Sequence, residues 1–74
     1  EKEIIESVKD ELAGQDLHNV DFKDARLSNA NLKDADLSNT VLKGANLTGA
    51  DLRGADLTGA KGIILEKASK PVKL

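Results

Sequence analysis

Residues 45–59 read Ala-Asn-Leu-Thr-Gly-Ala-Asp-Leu-Arg-Gly-Ala-Asp-Leu-Thr-Gly, three blocks of five built to one pattern. Extending the frame in both directions gives Leu17, Phe22, Leu27, Leu32, Leu37, Leu42, Leu47, Leu52 and Leu57 at an unbroken interval of five. Two residues before most of them stands alanine: Ala25, Ala30, Ala35, Ala45, Ala50 and Ala55, with Gln15, Val20 and Thr40 as exceptions. The residue between is Asp or Asn except at Arg26 and Val41. Self-similarity at a fixed short period marks a repeat architecture.

A period of five fits neither regular element. Five residues on an α-helix advance about 500°, so successive leucines would point all around the axis. On a straight strand an odd spacing sends them to alternate faces. One side is buried only if the chain turns a corner in every block. Asn19, Asp24, Asn29, Asp34, Asn39, Gly44, Gly49, Gly54 and Gly59 close the blocks, and these residue types tolerate such turns. Corners stacked on corners make a solenoid.

The run 45–59 resembles the A-(D/N)-L-x-x signature of pentapeptide-repeat proteins, and nine tandem blocks from Gln15 to about Ile64 carry the resemblance. It implies an all-β solenoid: a right-handed quadrilateral β-helix of about two coils, with about twenty residues per coil. Leu and Ala would face inward and the other positions solvent. Stacking then predicts inward columns Leu12/Leu32/Leu52, Leu17/Leu37/Leu57, Phe22/Leu42 and Leu27/Leu47. Val20 and Thr40 would lie one above the other, as a compensated corner.

The flanks follow other patterns. Ile4, Ile5, Val8 and Leu12 among charged residues predict an amphipathic helix of about three turns over 1–13, with Gly14 as its C-terminal cap. An uncovered solenoid end exposes strand edges and core leucines, so this helix is expected to cap the first coil. The solenoid is expected over 14–64. Ile63, Ile64 and Leu65 would lie over its other end, and 65–74 would form a C-terminal cap or tail. That end has less cover, so end-to-end homodimerisation is the expected self-association. The chain opens on Glu1 rather than Met, consistent with a processed chain or a module of a longer protein.

Composition excludes several function classes. The 74 residues contain no cysteine, a single aromatic residue (Phe22) and a formal net charge of −2. Disulfide frameworks, thiol nucleophiles and base-stacking platforms are therefore absent from the sequence. No apolar run reaches the ~20 residues of a membrane helix, and neither nucleic acid nor a membrane is an expected partner. His18 is the only histidine, predicted to face outward with no second His or Cys, and is read as a solvated side chain. The Gly44–Gly49–Gly54–Gly59 series is a product of the repeat, since no Lys-Ser/Thr follows to make a phosphate loop. Asn46-Leu47-Thr48 matches a glycosylation sequon for the same reason. Asp34-Ala35-Asp36 lacks the Gly and Glu of a calcium loop. No catalytic, cofactor-binding or metal residues are predicted, and no cofactor is expected.

Twenty-residue stacking predicts what each face displays. Asp16, Asp36 and Asp56 share one face with His18, Ser38 and Thr58. Lys23 and Lys43 share the next, and Lys33 and Arg53 another. These seven charged residues are the candidate interaction surface. The expected function is a non-enzymatic structural or protein–protein interaction solenoid. The resemblance implies an alternative, a DNA-mimicking protein that binds a topoisomerase such as gyrase. Charge ranks that second. Residues 15–64 hold seven aspartates against six lysines and arginines, a net of −1, whereas duplex DNA carries one negative charge per ~1.7 Å of axis.

Overall fold

A computed structural model describes residues 2–62. Parallel bridges join residues twenty apart: Asp16 to Asp36, Asp21 to Val41, Arg26 to Asn46, Asn31 to Asp51, Asp36 to Asp56 and Val41 to Lys61. Each bridge is a pair of backbone hydrogen bonds; Leu17 N donates to Asp36 O (2.8 Å) and Asp36 N to Gln15 O (2.9 Å). The strand-like contacts are single bridges because the chain bends away within each block. The architecture is a β-helical solenoid.

A turn makes each bend. Ala25 N donates to Phe22 O (2.9 Å), Ala30 N to Leu27 O (3.1 Å) and Ala50 N to Leu47 O (2.9 Å), and the other blocks repeat the pattern. The third residue of each turn has positive φ, from 58° at Asn39 to 75° at Gly44, the requirement of a type II turn. The five-residue period is thus one bridge plus one tight turn.

The core is a stack of buried side chains. Phe22, Leu27, Leu32, Leu37 and Leu42 are fully buried, and Leu12, Leu17, Leu47 and Leu52 are buried. Leu57, in the last described coil, is only partly covered. Ala25, Ala30, Ala35 and Ala50 fill the gaps between leucines. Thr40 is wholly buried, and its hydroxyl donates to Leu37 O (2.8 Å). A polar side chain at a core position is thereby satisfied; Val20 is buried beneath it, and Val41 N donates to Val20 O (3.2 Å).

The N-terminal segment departs from expectation. In place of one helix across 1–13, a short helix α1 spans Lys2–Ser7 and a 3-10 turn spans Lys9–Glu11. Ile5 and Leu12 are buried, but Ile4 is 73% exposed and Val8 44%. Pairing with the first coil outweighs helix continuity. Lys9 O accepts from Asn31 N (2.9 Å), and the Glu6 carboxylate accepts from Arg26 N. Gly14 does not cap a helix. It is the positive-φ residue of the turn Leu12–Gln15, and Gly14 N donates to Lys33 O (2.8 Å). The cover expected from Ile63, Ile64 and Leu65, and the tail 65–74, lie outside the described residues.

Candidate functional site

The Asp/Asn position of each block has a local task. Its Oδ1 accepts the backbone N–H two residues on: Asp21 from Lys23 (2.9 Å), Asn46 from Thr48 (3.1 Å), Asp51 from Arg53 (3.1 Å) and Asp56 from Thr58 (2.9 Å). These Asx turns set each outward side chain in a fixed place. The sequence signal for this role, Asp or Asn just before leucine, was visible as a pattern, but its hydrogen bond was not.

Bridges array Asp16, Asp36 and Asp56 in one outward column; Asp16 and Asp56 are exposed and Asp36 is half-buried. His18 Nδ1 contacts Asp16 Oδ1, and His18 N also donates to that oxygen (3.2 Å). Asp36 Oδ1 accepts from both Ser38 N (3.0 Å) and Ser38 Oγ (2.6 Å). The hydrogen bond from the His18 ring holds Asp16 below the ordinary carboxylate range, helped by the His18 backbone N–H. The same bond raises His18 above the usual imidazole value, with the Asp16 and Asp36 charges adding. Asp56 is lowered by the Thr58 side chain and backbone. Ligand atoms of Asp16, His18 and Asp36 all lie within 4.8 Å of one another.

The basic residues are distributed elsewhere. Lys23 and Lys43 are exposed and occupy adjacent coils, Asp24 N donating to Lys43 O (2.9 Å). Lys33 and Arg53 stack likewise, through Asp34 N to Arg53 O (2.9 Å). Arg53 is turned onto its own block: Nε donates to Asp51 Oδ1 (3.0 Å) and a terminal nitrogen to Oδ2 (2.7 Å). That pairing raises the guanidinium further above its ordinary value. The structure brings Asp16, Asp36 and His18 together and stacks Asp56 on Asp36 in the next coil.

Comparison with known proteins agrees with this geometry. A family model for pentapeptide repeats matches over residues 11–44 and 25–61, with eight copies. Among solved structures, the chain is similar to a pentapeptide repeat protein (Rfr23) from the cyanobacterium Cyanothece 51142. The two are 33% identical with a TM-score of 0.65, over 82% of this chain and 38% of that one. The present chain thus spans well under half the length of that relative. A search of curated proteins gave no match.

Proposed function

Because the chain belongs to the pentapeptide-repeat family, we propose that it serves as a rigid, non-enzymatic scaffold that displays charged columns to a protein partner, alone or as a module of a longer protein. In this reading the solenoid, residues 14–64, is a right-handed four-sided β-helix of about two coils. Residues 1–13, with α1 and the turn after it, act as its N-terminal cap, the tail 65–74 covers the other end, and self-association runs end to end. The twenty-residue register supports the reading most directly, because it repeats the same outward chemistry from coil to coil. A surface of that kind recognises by charge complementarity and does not need to close around a substrate.

Two neutralised versions of the chain test the role. In one, Asp16, Asp36 and Asp56 become Asn, which keeps the Oδ1 acceptor of each Asx turn; in the other, Lys23 and Lys43 become Gln. A binding protein captured by the parent chain should be lost with one version and kept with the other. Capture indifferent to both would remove the docking role. The column without cations also motivates a gyrase supercoiling assay. Inhibition by the parent chain, abolished by the three Asp→Asn changes, would replace scaffolding with DNA mimicry.

A further inference from the structure

We propose that Asp16, His18 and Asp36 form a coordination site for a borderline divalent cation of the zinc type. The three donors come from two successive coils, and the solenoid register brings them together. Their ligand atoms already lie within 4.8 Å of one another. Zinc binds imidazole nitrogen and carboxylate oxygen at about 2.0–2.2 Å, so donors on one ion stand roughly 3–3.5 Å apart. An ion would take the place of the direct His18–Asp16 contact. The side chains of His18 and Asp16 are 50% and 67% exposed, so the site is open to an ion from solvent. The backbones of Asp16 and Asp36 are already tied by their bridge.

The rest of the molecule shows why this place differs from other carboxylates. Residues 15–19, 35–39 and 55–59, which share the face, include no lysine or arginine. At Asp51, by contrast, the Arg53 guanidinium covers both oxygens. Among the described residues Asp36 is held through Oδ1, by Ser38 N and Oγ, which orients the carboxylate. Hydrogen bonding that orients a carboxylate in this way is a common companion of metal ligands. Asp36 and Asp56 also stack, yet their block partners are Ser38 and Thr58, so that pair lacks nitrogen. The imidazole moves the donor set away from the all-oxygen type suited to magnesium or calcium and toward zinc, nickel or copper. The site is open, so water would complete the coordination sphere.

Titration of the untagged full chain with zinc chloride, followed by calorimetry and amide NMR, tests the assignment. The expected result is one-to-one binding with shifts confined to residues 16–18 and 36–38. His18→Gln and Asp36→Asn should each weaken binding by about tenfold or more, while Asp56→Asn on the same face changes it by less than about twofold. Equal melting temperatures of the variants and the parent without metal would establish that ligands, not folding, were lost. Magnesium chloride at the same concentration should leave His18 unshifted. Zinc binding unchanged in His18→Gln, or shifts spread over aspartates on every face, would overturn the proposal in favour of a diffuse ion atmosphere only.

Discussion

The corners from 19 to 39 and those from 44 to 59 solve one backbone problem with different residues. Asn19, Asp24, Asn29, Asp34 and Asn39 hold φ between 58° and 64°; Gly44, Gly49, Gly54 and Gly59 hold it between 73° and 75°. Positive φ alone would admit Asn, Asp or Gly at any of them. At four of the corners the stack favours glycine. A Cβ on Gly44 would run into the Asp24 carboxylate, and one on Gly54 into that of Asp34, far inside van der Waals contact. Gly49 and Gly59 meet Asn29 and Asn39 in the same way. At these four corners the Asx side chain below occupies the space that a missing side chain above leaves open, whereas Asn39, above Asn19, keeps its side chain. The comparison teaches that the corners are coupled pairs, twenty residues apart.

The comparison presupposes that coils stack on one continuous core, so the largest effect comes from breaking that core. Leu37 lies in the column between Leu17 and Leu57 and is almost completely buried. Leu37→Asp places an unpartnered carboxylate there, at a penalty of several kcal/mol. The variant should show no cooperative thermal transition by circular dichroism.

The second effect isolates sterics from φ. Gly14 and Gly54 share almost the same angle, 72° and 75°, yet a Cβ on Gly14 meets nothing within 4 Å. Gly54→Asn should therefore cost about 1–3 kcal/mol, and Gly14→Asn no more than about 0.5 kcal/mol, both read from urea denaturation. Asp34→Gly combined with Gly54→Asn should recover most of the loss, as a double-mutant cycle would show. Equal costs at positions 14 and 54 would mean that φ strain, and not the neighbour, selects glycine.

These pairs also mark the boundary of what the sequence discloses. The leucine columns were legible because burial repeats at every block and no competing interaction disturbs it. The corner residues were legible as turn formers, but the reason for Gly above Asx depends on a neighbour twenty residues away. The N-terminal segment was misread where local and distant demands conflict. Apolar spacing at Ile4, Val8 and Leu12 asks for a continuous helix, whereas Arg26 and Asn31 of the first coil need acceptors. His18 was legible as outward, and Asp36 as its neighbour on the face; their convergence within ligand distance was not.

A third effect probes the edge that separates the two coils. In the upper coil Asn46 N donates to Ala25 O (2.9 Å). At the equivalent place below lies α1, and Glu6 supplies a carboxylate oxygen to Arg26 N instead. Glu6→Ala should cost about 0.5–1.5 kcal/mol, with faster amide exchange concentrated at Arg26. Asn46 should keep its protection. Loss of protection at both positions would show that the edges are not independent.

A final contrast, between two neighbouring isoleucines, sharpens the account of the N-terminal segment. Ile4 and Ile5 are adjacent, equally apolar and on the same short helix, but Ile4 is 73% exposed and Ile5 only 9%. Burying an isoleucine side chain is worth about 1.5–3 kcal/mol, and that gain is available only at Ile5. Ile5→Ser should therefore lower stability by an amount of that order. Ile4→Ser should change it by less than about 0.5 kcal/mol, because the side chain already faces water in the folded chain. Thermal melts of the two variants separate the alternatives. A large loss at Ile4 would restore the continuous amphipathic helix, with Ile4 and Val8 turned onto the first coil. A small loss at Ile4 beside a large one at Ile5 keeps the broken helix, whose acceptors at Glu6 and Lys9 finish the edge while Ile5 and Leu12 extend the core.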